Sequence, residues 1–88
     1  MIVLTQLHDK FDKSPDAEYM SECAKVDHNR PATWSKYPSN IQGANEIIAM
    51  EYTELMTAAK AGKMDEWKEN LYHLSVACLN AWRLYEHK

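Results

Sequence analysis

The chain has 88 residues, of which 45% are hydrophobic and 26% charged, and its net charge is −3 at neutral pH. An acidic chain lacks the positive surface that concentrates proteins on DNA or RNA, so a nucleic-acid polymer is not expected as a partner. Only two glycines and three prolines interrupt the sequence, which favours long helices with short connections over a sheet. We predict one all-α domain over residues 1–88.

The small size of the domain also bears on its assembly. A core built from so few residues is marginal for a monomer, so we expect a small helical bundle completed by oligomerisation, with a homodimer as the first expectation. Cys23 and Cys78 are too few and too far apart for a disulfide framework, and we predict reduced core thiols. The apolar run at the N-terminus is too short for a signal peptide or a membrane span, so we expect a cytoplasmic protein without membrane contact.

The N-terminal part of the chain, residues 1–39, is expected to hold two helices and an aromatic loop. Residues 2–11 suit a helix with one apolar face, although the first apolar residues would also suit a short strand. The Ser14-Pro15-Asp16 sequence is a strong helix start, and the helix should continue to about Val26.

Residues 27–40 form the irregular stretch, with prolines and small polar residues around two aromatic side chains. Arg30 and Lys36 are candidate contacts for the phosphates of a nucleotide. Trp34 and Tyr37 could stack on a purine base, as aromatic rings do with bases. The alternative is that both rings form a lid packed over the ends of the helices.

A central helix pair is predicted over residues 40–86. Ser39 should cap the first helix of the pair, which should end near Ala61 because Gly62 can adopt the left-handed conformation of a helix C-terminus. Asp65 or a nearby residue should start the second helix, which should end at about Glu86. The short connection makes the two helices antiparallel neighbours.

Both helices of the pair carry an apolar stripe interrupted by polar residues. The stripe of the first comprises Ile41, Ala44, Ile48, Tyr52, Leu55 and Ala59, with Ile47 and Ala58 beside it. The stripe of the second comprises Trp67, Leu71, Leu74, Cys78, Ala81 and Tyr85. Glu51 lies inside the first stripe and Glu54 at its edge, while Asn70 lies inside the second and His73 at its edge. Each helix therefore carries two polar residues three positions apart, which can converge on one ligand.

A carboxylate inside an apolar face is costly unless it is paired, hydrogen-bonded or bound to a metal. Glu51 and Glu54 together therefore suggest a bound cation. The alternative is that Glu51 pairs with a lysine and that His73 is an ordinary histidine at the edge of the core.

The sequence from Met50 to Glu86 resembles the two central helices of the all-α NTP pyrophosphatases, the MazG-like superfamily. In that family, an E-x-x-E pair precedes a short turn and an E-L-x-D-type motif, and these acidic groups hold magnesium. Glu51 and Glu54 match the first pair. Asn70 and His73 stand at the glutamate and aspartate of the second motif. The resemblance implies a metal site formed by these four residues, and an imidazole ligand favours Mn²⁺ as an alternative to Mg²⁺.

A narrower similarity concerns the last helix. Residues 73–84 are similar to the H-L-x-x-A-x-x-N-A-x-x-L helix of small phage proteins described as dATP/dGTP diphosphohydrolase-like. The two resemblances imply hydrolysis of a nucleoside or deoxynucleoside triphosphate to the monophosphate and pyrophosphate, with Glu51, Glu54 and His73 as catalytic residues. The first alternative is an inactive phage-type derivative that binds a nucleotide or inhibits a host protein. The second is a helical oligomer whose polar residues only fix the register of an interface.

Overall fold

The computed structural model describes residues 15–87. Within that range the chain forms three α-helices and one short 3-10 helix, which confirms the all-α prediction. The elements are α1 (Pro15–His28), the 3-10 helix (Ala32–Lys36), α2 (Ile41–Lys60) and α3 (Met64–Glu86). The helix predicted over residues 2–11 lies outside the described residues. None of the described helices is both long enough and apolar enough to cross a membrane.

Helix α1 packs against α3 and runs parallel to it. The Tyr19 ring meets the edge of the Tyr72 ring at a centroid distance of 5.5 Å, and its hydroxyl hydrogen-bonds Ser75. At the other end, Arg83 donates to Asp27 at 2.9 Å. Hydrogen bonds from Arg83 and then from Arg30 lower the pKa of the Asp27 carboxyl group. The helix is described from Pro15 onwards and ends at His28, two residues beyond the predicted Val26.

The N-terminus of α2 is capped by Asn40 and not by the predicted Ser39. Asn40 has an extended backbone, and its side chain accepts a hydrogen bond from the Gly43 amide at 2.8 Å. Serine and asparagine are both good capping residues, so local preference does not choose between adjacent positions. Asn40 is the cap because its side chain reaches the free amide of Gly43, three positions later.

The turn between α2 and α3 is a compact helix C-terminus of the predicted kind. Gly62 has a φ of 72°, and its amide donates to the Ala59 carbonyl at 3.1 Å. The Lys63 amide then reaches back to the Ala58 carbonyl at 3.0 Å. Together these bonds satisfy carbonyl groups that the end of a helix leaves free. Helix α3 starts immediately afterwards, so α2 and α3 are antiparallel neighbours as predicted.

The core lies where the 3-10 helix inserts Trp34 between α2 and α3. Trp34 packs there with Ile47, Val76 and Ala77. The buried line of α2 follows Ala44, Ile47, Glu51, Leu55 and Ala58, which is one side of the predicted stripe. Ile41 and Tyr52, on its other side, are exposed.

The stripe predicted for α3 is not its buried face. The buried residues are Tyr72, Val76 and Ala77, whereas Cys78 and Tyr85 of the predicted stripe are exposed. The prediction of a core thiol is therefore wrong for Cys78, and Cys23 is only partly buried. Helix α3 has two adjacent apolar arcs, and periodicity cannot tell which of them packs within the chain.

Candidate functional site

Glu51 is the most unusual residue of the core. Its side chain is an ionisable group in the middle of the apolar line of α2, and the residue is only 1% exposed. One carboxylate oxygen, Oε1, accepts a hydrogen bond from the Trp34 indole Nε1 at 2.9 Å. The other oxygen, Oε2, is buried and has no hydrogen-bond partner among residues 15–87. A buried carboxylate oxygen without a partner is costly, and such a group in a native fold calls for a specific explanation.

His73 lies close to Oε2, the second carboxylate oxygen of Glu51. It projects from α3, and its Nδ1 lies 3.5 Å from Glu51 Oε2. Its Nε2 lies 3.8 Å from a carboxylate oxygen of Glu69, one turn earlier on the same helix. The antiparallel packing of α2 and α3 thus places the imidazole between a buried carboxylate and an exposed one.

Glu54 lies one turn beyond Glu51 on α2, towards the turn between the helices. Partial burial raises the pKa of the Glu54 carboxyl group, the nearby Glu51 carboxylate raises it further, and His73 acts in the opposite direction. These influences show that Glu51, Glu54 and His73 lie within electrostatic reach of one another. Two carboxylates side by side favour either a shared proton or a shared cation.

A groove of about 440 Å³ opens beside these residues, between the second half of α2 and the first half of α3. It is lined by Thr53, Glu54, Thr57, Ala58, Ala61, Lys63, Glu66, Glu69, Asn70 and His73. We call it the acidic groove, because three of its lining side chains are carboxylates and one is a lysine. Glu51 lies behind its wall. The structure thus gathers Glu51, Glu54, Asn70 and His73, the four predicted metal ligands, in one region.

The chemistry of these donors fits a divalent cation that is shared with a ligand. No three His, Cys, Asp or Glu side chains within residues 15–87 form a group that could hold a metal ion by themselves. Mg²⁺, however, is commonly bound by one or two protein carboxylates together with phosphate oxygens of the substrate. Glu51 Oε2 is a buried anionic oxygen without a partner, and Glu54 lies beside it. These two carboxylates are the expected protein ligands, with Asn70 and His73 as neutral ones.

The predicted nucleotide-binding residues lie apart from the acidic groove. Trp34 is 6% exposed and packs in the core, which leaves little of its ring to stack on a base, as in the packed-lid alternative. Tyr37 is half-buried, with its hydroxyl 3.6 Å from the Met50 sulfur. Arg30 donates to Asn80 at 2.9 Å and to Asp27 at 3.0 Å.

A second groove, of about 480 Å³, is lined by several of the same residues, including Arg30, Trp34 and Tyr37. Lys36 is exposed on the 3-10 helix and lines neither groove. The lysine of the acidic groove is Lys63, which the sequence-based prediction missed. Its position directly after Gly62 is the signal that could have identified it, since the turn joins the two helices that carry the acidic and polar pairs.

The comparisons with known proteins add no relative. No family model, no curated protein and no solved structure matches the chain significantly. A proposal of function therefore rests on the geometry of the site and on the resemblance of residues 50–86 described above.

The hydrogen bond from Trp34 to Glu51 gives a testable expectation for stability. Replacing Trp34→Phe keeps an aromatic ring but leaves both buried carboxylate oxygens of Glu51 without a donor. We expect the free energy of unfolding to fall by about 2 kcal/mol or more, since hydrogen bonds to charged groups contribute about that much. In a Glu51→Leu background, Trp34→Phe should lower the free energy of unfolding by less than half as much, because no carboxylate remains that needs a hydrogen-bond donor. Urea unfolding of the wild type, the two single variants and the double variant measures the coupling energy between Trp34 and Glu51. An equal loss of unfolding free energy in both backgrounds would contradict the expected coupling.

Glu54 gives an expectation for the pH dependence of stability. Its pKa is raised in the folded protein, so ionisation of Glu54 destabilises the fold as pH rises through that pKa. We expect Glu54→Gln to raise the melting temperature at pH 7 to 8. This gain should disappear below about pH 4.5, the usual pKa of the group. Glu46→Gln, an exposed change on the same helix, controls for the loss of one negative charge. A gain for Glu54→Gln that persists at pH 4 would contradict the expectation.

Proposed function

We propose that the protein is a nucleotide pyrophosphatase-like protein that hydrolyses a nucleoside or deoxynucleoside triphosphate with the help of a divalent cation. The observation that carries the proposal is the Glu51 carboxylate, which is almost fully buried. Its Oε2 has no hydrogen bond within residues 15–87 and lies 3.5 Å from Nδ1 of His73, a residue that lines the acidic groove. A buried ionisable group without a full set of partners is costly, and such a group beside a groove is a candidate for a functional residue. The resemblance of residues 50–86 to the all-α NTP pyrophosphatases supports the same function.

The residues of the site have separable roles in this proposal. Glu51 and Glu54 would hold the cation, and Trp34 orients Glu51 through its indole N–H. When bound, the cation supplies electrophilic activation of the phosphate and offsets the charge of the triphosphate. His73, whose Nδ1 lies 3.5 Å from Glu51 and whose Nε2 lies 3.8 Å from Glu69, would orient the attacking water and take its proton. The products are the monophosphate and pyrophosphate.

The charge of the groove indicates how the nucleotide enters. Glu54, Glu66 and Glu69 line it, so a free triphosphate would be repelled by three carboxylates. A triphosphate paired with a divalent cation would carry less negative charge and would be repelled less. Lys63 stands at the turn end of the groove and is the side chain that can neutralise the outer phosphates.

The proposal is tested by incubating the protein with each of the eight common NTPs and dNTPs in the presence of Mg²⁺ or Mn²⁺ and measuring pyrophosphate release. We expect release from at least one nucleotide, and none after the cation is removed with EDTA. A thermal shift series with the cation alone and with the cation plus nucleotide provides a readout independent of turnover. A protein that hydrolyses none of the eight and whose melting temperature responds to neither cation would overturn the proposal.

A second function is nucleotide binding without hydrolysis, as in a phage-type protein that sequesters a nucleotide or inhibits a host protein. It is favoured by the donor set, since Asn70 and His73 replace two acidic ligands of the family pattern, and residues 15–87 contain no group of three metal-binding side chains. Calorimetry separates the two functions, because nucleotide binding with no pyrophosphate release supports the second.

A further inference from the structure

The second groove lies at the other end of the helix pair from the acidic groove. Its walls are Ile47 of α2, Asn80 and Leu84 of α3, and parts of the loop over residues 30–39. The acidic groove is lined only by residues of the range 53–73, around the turn between the helices. The two grooves therefore share no lining residue, and the proposed activity leaves the second groove unused.

The second groove has the size and the lining of a small-molecule pocket. Its volume is about 480 Å³, within the range of about 300 to 1,000 Å³ that is usual for such pockets. Most of its lining side chains are apolar or aromatic, with a few polar groups among them. Two side-chain bonds hold the loop against the helices. Arg30 donates to Asn80 of α3, and the Tyr37 hydroxyl donates to the Met50 sulfur of α2.

The charge of the second groove is opposite to that of the acidic groove. Among residues 15–87, Arg30 is the only charged side chain that lines it. Asp27 lies outside the groove and accepts hydrogen bonds from both Arg30 and Arg83. The two arginines and the one carboxylate together keep a single positive charge. An acidic chain thus carries a local site that attracts an anion.

Both Arg30 and Asn80 have hydrogen-bond donors left for that anion. Within the described range, the guanidinium uses one N–H on the Asn80 oxygen and one on Asp27. A guanidinium has five N–H groups, so three remain, and Asn80 keeps its amide N–H groups. These donors suit a carboxylate, which a guanidinium can bind through two parallel hydrogen bonds. A triphosphate needs more positive charge, and Lys36 lies outside the groove.

We propose that the second groove is a binding site for a small organic carboxylate with an apolar body. Arg30 and Asn80 bind the carboxylate, while Tyr37, Ile47 and Leu84 contact the apolar body. The site does not depend on the proposed hydrolysis, because its residues are separate from those of the acidic groove.

Trp34 makes occupancy of the second groove measurable. Its ring lines the groove, and the guanidinium carbon of Arg30 lies 5.9 Å from the ring centroid. The indole N–H donates to Glu51. A ligand bound to Arg30 and packed beside the ring changes the surroundings of this N–H, so its nuclear magnetic resonance signal should shift. Trp67 and Trp82 do not line the groove and serve as internal references.

The first test is titration of the isotope-labelled full chain with phenylacetate and hexanoate, each compared with its neutral amide. We expect at least one carboxylate to shift the Trp34 indole signal in a saturable way, with little effect on the other two indoles. The matching amide should bind at least about tenfold more weakly, because hydrogen bonds between charged groups are the stronger ones. A Trp34 signal that neither carboxylate shifts would overturn the proposal. Equal affinity for acid and amide, or equal shifts at all three indoles, would also overturn it.

A second test locates the carboxylate with two arginine variants. Arg30→Gln removes the positive charge from the groove. Arg83→Gln removes the other arginine bonded to Asp27, which has similar side-chain exposure, 46% against 36%, and lies outside the groove. We expect Arg30→Gln to raise the dissociation constant at least about tenfold and Arg83→Gln to change it less than about threefold. Unchanged affinity in Arg30→Gln, or equal losses in both variants, would contradict the proposed site. The comparison of acid and amide uses the unmodified chain and holds even if Arg30→Gln loosens the loop.

Discussion

Glu51→Gln is expected to reduce pyrophosphate release by about 100-fold or more and to abolish the stabilisation of the protein by a divalent cation. The change removes the only fully buried carboxylate of residues 15–87 while keeping its shape. The glutamine oxygen can still accept the Trp34 hydrogen bond, so the fold should remain intact. Its stability should be equal or higher, because the replacement removes a buried charge. In the proposed reaction, by contrast, the same change would remove a ligand of the cation and act directly on the rate.

Two variants on the same helix control this result. Glu54→Gln should weaken the response to the cation less, because Glu54 is exposed whereas Glu51 is buried. Glu46→Gln lies outside the acidic groove and should change neither activity nor cation response. If Glu51→Gln unfolds the protein while the wild type shows no response to Mg²⁺ or Mn²⁺, then Glu51 serves the fold and the proposed site fails.

Gly43→Ala is expected to destabilise the protein by about 3 kcal/mol, the upper end of the cost of forcing an extra methyl group into a packed site. Gly43 lies in the first turn of α2, where the preceding loop crosses close to the helix. A Cβ at this position would overlap the carbonyl oxygen of Pro38 and lie 2.9 Å from its carbonyl carbon. Helix propensity alone favours alanine by about 1 kcal/mol. The steric conflict with backbone atoms is larger, because a loop carbonyl cannot rotate away as a side chain can.

The measurement is thermal or urea unfolding, with Gln42→Ala as the matched control. Gln42 is the exposed neighbour of Gly43 on the same turn, and its replacement should change the stability by no more than a few tenths of a kcal/mol. Gly62→Ala tests the other glycine, whose φ is 72° with open space around a Cβ. It should cost about 1 to 2 kcal/mol through backbone strain alone. A Gly43→Ala variant as stable as the wild type would show that the loop can move away.

The sequence predicted the elements better than the faces they bury. The capping signals at Pro15 and Gly62 located the ends of α1 and α2 within two residues, because such signals depend on a few neighbouring atoms. The prediction failed on α3, where the regular apolar stripe from Trp67 to Tyr85 is partly exposed and the adjacent Tyr72, Val76 and Ala77 are buried. The apolar pattern of a helix indicates which residues are buried from water. It does not distinguish burial in the core of the chain from burial in an interface between chains.

The candidate site was predictable in part from the same helical pattern of apolar and polar residues. The sequence predicts Glu51 as a site residue because a carboxylate interrupts an apolar arc. Helical spacing then adds Glu54, Asn70 and His73 to the predicted site. The hydrogen bond from Trp34 was not predictable, since it joins residues 17 positions apart through an irregular loop. The sequence therefore indicates Trp34 as a ring that stacks on a base or as part of a lid. Only the folded chain shows that it donates a hydrogen bond to Glu51.

The three-residue connection between α2 and α3 also has a consequence for how the chain folds. Only residues 61–63 separate the two helices, so bringing them together loses little chain entropy, and this hairpin is expected to form early. We expect Glu51 and His73 to meet at that stage, while the Glu51 carboxylate is still hydrated. Trp34 lies on the preceding loop and should displace that water only when the loop docks. The desolvation of Glu51 is thus expected in the same step as the hydrogen bond that offsets it.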